Sequence, residues 1–233
     1  MICKTLRKYC YLLLITCVST FNVFCQKTIT LQTDTLQLWA TYYYIPIVHH
    51  DSMGIDLLSP NQAPTGYKLN TCDWCTSARE GTVCVVNGND TCLLNFAGRS
   101  DSLQTSCSSC SKFANYKNTH KTGRVLWEKT NGFGKGVNDL DLIPYCSIAV
   151  DTSVIPIGSK IFVADLVGIR YQNHKGDSIT HDGYFKAMDV GSLIKRNHID
   201  VFIGLSQTNP FKLIGSSPDS VFQAIIHKPT GDE

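Results

Sequence analysis

Residues 181–204, with the sequence HDGYFKAMDVGSLIKRNHIDVFIG, decide how this chain is organised. The largely apolar run at 184–188 predicts a β-strand that delivers Asp189 into a turn at Gly191. Asp200 opens the next apolar run and is predicted to begin a second strand. The two acids are close in sequence and lie at strand ends, where they can converge. Carboxylates flanked by buried apolar strands can have altered proton affinity, which suits acid–base chemistry.

A third acid and a series of short strands surround this stretch. Asp151 ends the run 147–150, and Pro156 and Gly158 then predict a tight corner that returns the chain to the sheet. Further strands are predicted at 28–31, 160–163, 168–171 and 224–226. Many short strands with few long helical periods predict a mainly β protein built on a small closed barrel.

Four motifs occur in a fixed order: Ala-Val-Asp at 149–151, Ile-Pro-Ile-Gly-Ser at 155–159, Ala-Met-Asp-Val-Gly at 187–191 and Ile-Asp-Val-Phe at 199–202. Together they resemble the three-aspartate (3D) domain of MltA-type lytic transglycosylases and related bacterial cell-wall proteins. The resemblance covers residues 146–204, and more weakly 38–46. It departs from the family at 189–192, where the usual Asp-Thr-Gly-Gly is Asp-Val-Gly-Ser.

The resemblance implies a six-stranded double-psi β-barrel and an activity. A lytic transglycosylase cleaves the peptidoglycan bond between N-acetylmuramic acid and N-acetylglucosamine, and the C6 hydroxyl of the muramic acid attacks its own anomeric carbon to leave a 1,6-anhydro end. Asp200 matches the family's catalytic acid and base. Asp189 is expected to raise the pKa of Asp200 or to hold it by hydrogen bonding, and Asp151 to complete the cluster.

Substrate-binding residues are expected on an aromatic strand and in the turn after Asp189. Residues 38–45 form a long aromatic run, and alternate residues of a strand face opposite sides. The resemblance selects Thr41 and Tyr43 as the residues that face the cleft. Gly191 and Lys195 complete the predicted binding set. We interpret His198 as a surface residue.

Six cysteines define a separate region between residues 72 and 140; they are Cys72, Cys75, Cys84, Cys92, Cys107 and Cys110. In an exported protein they predict disulfides, and six cysteines allow fifteen pairings. A hairpin with a three-residue loop at 87–89 would place Cys84 opposite Cys92. The alternative joins the two Cys-x-x-Cys motifs into a zinc site. Disulfides are favoured because an exported protein is in an oxidising compartment.

The start of the chain predicts export. Residues 1–25 combine basic residues at positions 4, 7 and 8 with an apolar stretch too short to span a bilayer, which is typical of a signal peptide. A lipid anchor at Cys25 is less favoured because bulky Phe24 precedes it. We therefore expect a periplasmic or secreted protein with no transmembrane segment after cleavage. The net charge of +2 gives no indication of nucleic-acid binding.

The predicted organisation has five parts: a signal peptide at 1–25, an N-terminal segment with the first barrel strands at 26–71, a cysteine-rich insertion at 72–140, the 3D-type barrel core at 141–228, and a flexible tail at 229–233. No cofactor is implied, and the acids and histidines lack a recognisable metal-ligand spacing. The expected partner is the peptidoglycan glycan strand, and the oligomeric state is open.

Two other functions remain open at this point. A glycan-binding module would use the same groove without cutting a bond, and the altered turn at 190 and 192 favours it. A water-using hydrolase would need two carboxyl groups about 6.5–9.5 Å apart.

Overall fold

The computed structural model describes residues 33–116, 119–173, 175–205, 208–215 and 217–229. The predicted signal peptide, Cys25 and a strand predicted at 28–31 lie outside the described residues, as does most of the predicted tail. The strands are β1 (Thr33–Tyr43), β2 (Ile47–His49), β3 (Ile55–Leu58), β4 (Pro64–Leu69), β5 (Thr82–Asn87), β6 (Asp90–Arg99), β7 (Val125–Lys129), β8 (Ser147–Ala149), β9 (Lys160–Phe162), β10 (Arg170–Gln172), β11 (Ser178–Thr180), β12 (Tyr184–Asp189), β13 (His198–Phe202) and β14 (Phe222–His227). The α-helices are α1 (Thr71–Glu80) and α2 (Thr119–Thr122), and 3-10 helices occur at Cys107–Ser109, Ser111–Phe113, Val137–Asp139 and Ala164–Leu166.

Six strands close into a barrel in the order β1, β13, β8, β12, β9, β14. β1 runs parallel to β13 and β12 runs parallel to β8, whereas the other neighbours in the ring are antiparallel. The mainly β, six-stranded double-psi fold class is thereby confirmed. β10 and β11 form a separate two-stranded ribbon.

Alternation along the strands separates the barrel core from the barrel's outer face. On β1 the side chains of Leu38 and Ala40 are buried in the core, and on β13 those of Ile199 and Val201 join them. Burying one such aliphatic side chain contributes about 1.5–3 kcal/mol, so this inward face fixes the register of each strand. The residues between them, at 39, 41 and 43 and at 198, 200 and 202, therefore point to the outer face.

Residues 47–129, which we call the cysteine-rich lobe, form a second layer beside the barrel. A four-stranded sheet has the order β2, β5, β6, β7, and β3 pairs with β4 in a hairpin. Its core is built around Trp74 of α1, which packs edge-on against Trp127 of β7 with ring centroids 6.1 Å apart. Asn70 caps α1 by accepting hydrogen bonds from two main-chain N–H groups of the first turn, and Gly81 ends the helix in a left-handed conformation.

Two disulfides join the Cys-x-x-Cys motifs to each other. Cys72 is bonded to Cys110 and Cys75 to Cys107, so α1 is fastened to the segment that follows β6. This confirms the disulfide interpretation of the cysteine cluster, because oxidised sulfurs are not the thiolate ligands that zinc requires.

The predicted pairing of Cys84 with Cys92 is wrong. The hairpin between β5 and β6 has two residues in its loop rather than three, and Cys84 lies opposite Leu93 while Cys92 lies opposite Val85. A shift of one residue sends the two side chains to opposite faces of the sheet. Cys84 and Cys92 are free thiols, as is Cys146.

A third apolar cluster joins the outer face of the barrel to the cysteine-rich lobe. Its buried members are Ile45, Cys84, Leu142, Met188 and Phe202. Gly136 packs against the main chain beside this cluster, since a Cβ atom at this position would lie 2.2 Å from the carbonyl oxygen of Met188. This close approach holds the segment before β8 against the end of β12 that carries Asp189.

Candidate active site

Asp189 and Asp200 come together because both pair with the same residue. β8 lies between β12 and β13, and Ala149 is the register partner of Asp189 on one side and of Asp200 on the other. Register partners point to the same face, so both carboxylates flank a small methyl group on the outer face. Two strand spacings separate their Cα atoms, a distance of about 10 Å. The prediction that Asp200 begins its strand was wrong. Asp200 is the third residue of β13, because pairing with β1 already starts at His198.

Strand β1 supplies one hydroxyl group to each acid. The Thr41 hydroxyl oxygen lies 2.6 Å from Oδ1 of Asp200 and donates to it when this acid is ionised, and the Tyr43 hydroxyl donates to Oδ2 of Asp189 at 2.9 Å. Thr41 and Tyr43 are two residues apart and therefore lie on the same face of the strand. The two predicted binding residues contact the acids directly.

The carboxyl group of Asp200 has the proton affinity of a general acid. Burial raises its pKa to about 7, against the hydrogen bond from Thr41, which lowers it. Among the surrounding charges, the carboxylates of Glu80 and Asp189 raise this pKa further and the guanidinium of Arg79 lowers it. A large fraction of Asp200 is therefore protonated at neutral pH.

Asp189 is held by two donors. Burial raises its pKa, and this effect is opposed by hydrogen bonds from the N–H of Val190 and the hydroxyl of Tyr43. Its Oδ1 accepts from Val190 at 2.8 Å while Oδ2 accepts from Tyr43. Because both of its oxygens accept hydrogen bonds, Asp189 is better suited than Asp200 to be the charged member of the pair.

Asp151 lies in the same cleft but has a different environment. Its Oδ1 accepts from the N–H and the hydroxyl of Ser153 at 3.1 and 2.7 Å, and its Oδ2 accepts from the N–H of Arg196 at 2.8 Å. These hydrogen bonds, led by the one from Arg196, lower its pKa to about 2. Asp151 therefore stays ionised and fastens the loop between β12 and β13 to the end of β8.

A cleft of about 910 Å³ runs between the outer face of the barrel and the cysteine-rich lobe. Asp151, Asp189, Gly191 and Lys195 line it on the barrel side. Gly191 is required for space, because a Cβ atom there would lie 2.5 Å from a side-chain carbon of Ile194. The side chain of Lys195 is exposed at the rim.

Glu80 is a cleft residue that the sequence analysis missed. It is the last residue of α1 and lines the cleft together with Arg79. Burial raises the pKa of Glu80, and the charge of Arg79 and a hydrogen bond with the main chain of Tyr44 oppose this. No local pattern indicates a role, since Glu80 is 120 residues from Asp200 in sequence and only the fold brings the two charges together.

His198 is buried, and its interpretation as a surface residue was wrong. Only 8% of the residue is exposed, and its ring stacks on that of Trp39 with centroids 3.6 Å apart and planes 5° from parallel. Its Nε2 lies 2.8 Å from the hydroxyl oxygen of Thr41. The pairing of Trp39 with His198 across the parallel strands produces this stack, and such pairing is not visible in the sequence.

No cluster of three or more His, Cys, Asp or Glu side chains suited to a metal ion occurs in the described part of the chain. Likewise, no helix among the described residues is long and apolar enough to cross a membrane.

Four of the six barrel strands, β8, β9, β12 and β13, and all three acids lie in a region that matches a known domain family. Residues 146–218 match the family profile of the 3D domain, which confirms the resemblance recognised in the sequence. No curated protein sequence matches the chain.

The fold of this chain is similar to that of a solved structure. The crystal structure of a membrane-bound lytic murein transglycosylase from Agrobacterium tumefaciens matches with a TM-score of 0.53 at 11% identity, covering 84% of this chain and 76% of that one. MltA from Escherichia coli with bound chitohexaose matches with a TM-score of 0.48 at 15% identity, covering 83% and 72%. MltA from Neisseria gonorrhoeae matches with a TM-score of 0.48 at 13% identity, covering 86% and 74%. Residues 146–218 thus match the 3D domain, and the fold of the chain is similar to that of the Agrobacterium tumefaciens transglycosylase.

Proposed function

We propose that this protein is an exported peptidoglycan lytic transglycosylase that cleaves the bond between N-acetylmuramic acid and N-acetylglucosamine and leaves a 1,6-anhydro-muramic end. The observation that carries the proposal is Asp200, a carboxyl group with a pKa of about 7 beside a second acid on the outer face of the barrel. Such a group can give up a proton and take one back near neutral pH.

In the first step, Asp200 donates its proton to the glycosidic oxygen as the bond to the anomeric carbon breaks. The sugar passes through an oxocarbenium-like state, and the carboxylate of Asp189, positioned by the Tyr43 hydroxyl, stabilises its positive charge. Asp200 is then a carboxylate that accepts a hydrogen bond from Thr41.

In the second step, the same carboxylate removes the proton of the C6 hydroxyl as that oxygen attacks the anomeric carbon. Asp200 regains its proton and the anhydro ring closes without water. Using one residue as acid and then as base requires a pKa near the working pH, which the burial of Asp200 provides.

The cleft supports a polymeric partner. Its volume of about 910 Å³ gives room for sugar rings next to Asp151 and Asp189. Lys195 at the rim and Arg79 on the opposite wall carry positive charge that suits the carboxylates of peptidoglycan peptide stems. Gly191 lets the main chain of the turn approach the glycan closely.

An extracytoplasmic location belongs to this proposal. The signal-peptide pattern at 1–25 and a substrate outside the cytoplasm both support it, and two disulfides are typical of an oxidising compartment. A lipid anchor at Cys25 remains the less favoured variant of the same location.

A glycan-binding module without catalysis is the second candidate. Val190, 47% exposed beside Asp189, occupies the position where the family usually has a threonine, and Ser192 replaces a glycine. The acids would then be hydrogen-bonding groups for the sugars.

The test is to incubate the purified protein with peptidoglycan and to analyse the released fragments by mass spectrometry. We expect anhydro-ended fragments from the wild type and a loss of at least about a hundredfold in rate for Asp200→Asn, because the amide has no proton to donate. Asp165 is an exposed aspartate in the 3-10 helix after β9, and Asp165→Asn is the matched control that should keep full activity. Binding of the polymer without any release by the wild type would replace the enzyme with the binding module.

A further inference from the structure

We propose that His198 is a positioning residue for Asp200: its Nε2 accepts the only hydroxyl proton of Thr41, so that Thr41 accepts the proton of Asp200 and keeps this residue in its acid form. The inference assigns a residue to the site and rests on the proposed function only for its catalytic consequence.

The geometry is a chain of two short hydrogen bonds through one oxygen. The Thr41 oxygen lies 2.6 Å from Oδ1 of Asp200 and 2.8 Å from Nε2 of His198. All three side chains lie on the outer face of the β1–β13 pair, where Trp39 is opposite His198 and Thr41 is opposite Asp200. The stack on Trp39 fixes the plane of the imidazole, and thereby aims Nε2 at Thr41.

A threonine hydroxyl has a single proton, so it can donate to only one of these two partners at a time. If it donates to an ionised Asp200, its oxygen lone pairs face Nε2, which then needs a proton of its own. If it donates to a bare Nε2, its oxygen accepts the proton of a protonated Asp200. The protonation states of Asp200 and His198 are therefore coupled through Thr41.

The second arrangement is favoured because the imidazole is neutral. Burial lowers the pKa of His198, against a hydrogen bond with the main chain of Leu193, which raises it. Since Nε2 is directed at Thr41, we assign the hydrogen bond with Leu193 to Nδ1. A neutral imidazole whose proton is on Nδ1 has a bare Nε2, which is an acceptor.

Other charges around Asp200 act in addition to this coupling. Glu80 and Arg79 face it from α1, and Asp189 faces it from β12. The charge of Asp189 is itself held by Tyr43. None of these groups uses the Thr41 hydroxyl in the bonds described above, so the effect of His198 can be separated from theirs.

The coupling assigns a step to each orientation of the hydroxyl. While Thr41 points to His198, Asp200 carries a proton for the leaving oxygen. Once that proton is given up, the hydroxyl turns to the new carboxylate and stabilises it, which leaves Nε2 of His198 without a donor until Asp200 takes the proton of the C6 hydroxyl and the Thr41 hydroxyl turns back. No net proton leaves the site during this cycle.

The test is a pH titration of the Asp200 carboxyl in protein labelled with carbon-13 at aspartate, with the signal assigned by its loss in Asp200→Asn. His198→Phe keeps a ring to stack on Trp39 but removes Nε2. We expect this change to lower the pKa of Asp200 by roughly one pH unit, since the protonated form loses its relay of hydrogen bonds. The carboxyl signal of Asp151 is the internal control and should not move.

A double-mutant cycle isolates the part of Thr41. In a Thr41→Val background, His198→Phe should no longer change the titration of Asp200, because the connecting oxygen is absent. The alkaline limb of kcat/KM should move to lower pH in His198→Phe by the same amount. An unchanged or raised pKa of Asp200 in His198→Phe would overturn the inference, whereas a protein that does not cleave peptidoglycan but shows the shift would overturn only the proposed function.

Discussion

Asp189 and Asp200 flank the same alanine, and their hydrogen bonds make them different. Asp189 accepts from two donors, one on each oxygen, whereas Asp200 in its ionised form accepts from the hydroxyl of Thr41. A carboxylate with more donors holds its charge more firmly, so the unequal number of donors separates an acid from a carboxylate in one small site. The methyl side chain of Ala149 leaves the space between them open.

The charge of Glu80 contributes to the pKa of Asp200, and this contribution can be tested. Its negative charge raises the pKa of Asp200, so Glu80→Gln should lower this pKa below its value of about 7. The sign follows from charge alone: without the nearby carboxylate, ionisation of Asp200 is easier. The acid form is then lost at a lower pH, and the alkaline limb of kcat/KM should move by roughly half a pH unit.

Glu128→Gln is the matched control for Glu80→Gln. Glu128 also lines the cleft, but its charge is not among those that shift the pKa of Asp200. An equal displacement of the limb in both variants would mean that the cleft's overall charge, and not Glu80, sets the proton affinity of Asp200.

The alternation of side chains along each strand explains which site residues the sequence could predict. The inward residues of β1 and β13 are apolar and the outward ones carry the chemistry, so the placement of Thr41 and Tyr43 follows from a period of two once the strand is known. The end of β12 at Asp189 was also predictable, because the apolar run stops there.

The pairing between strands that are distant in sequence could not be predicted from local sequence patterns. The stack of Trp39 on His198 depends on a register between segments 159 residues apart. The loop between β5 and β6 has two residues, whereas three were predicted. Gly88 adopts a positive φ of 59° in that turn, which fits the two-residue hairpin loop. A sequence with several turn-forming residues in a row does not say which of them form the turn.

The contribution of the disulfides that fasten helix α1 can be tested by reduction. Its two disulfides close segments with sequence separations of 38 and 32 residues, and each such bond stabilises a fold by about 4 kcal/mol in the chain-entropy account. Because one loop lies inside the other, the second bond adds less than the first. We expect a reductant to lower the melting temperature of the cysteine-rich lobe and to reduce activity, since α1 carries Glu80 to the cleft.

The free thiols provide the control for reduction. A variant with serine at Cys84, Cys92 and Cys146 retains both disulfides and should respond to reductant as the wild type does. Thermal unfolding followed by circular dichroism, with and without reductant, measures the effect. A melting temperature that does not change on reduction would show that packing around Trp74 holds α1 without the disulfides.

At the scale of the whole molecule, the site is a junction between two layers. The barrel provides the acids, the cysteine-rich lobe provides the opposite wall with Glu80, and the apolar cluster around Met188 and Phe202 fixes their relation. The barrel and its acids could be predicted from motifs that lie within 60 residues of one another. The opposite wall could not, because its residues acquire a role only when the lobe packs against the barrel.

The most direct test of the proposed transglycosylase activity is whether water takes part in bond cleavage. Digesting peptidoglycan with the purified protein in water enriched in oxygen-18, and analysing the fragments by mass spectrometry, determines the source of the oxygen at each new end. We predict anhydro ends that contain no heavy oxygen, because in the proposed reaction the attacking oxygen is the sugar's own C6 hydroxyl. Reducing ends that carry heavy oxygen would contradict it and would make the protein a hydrolase.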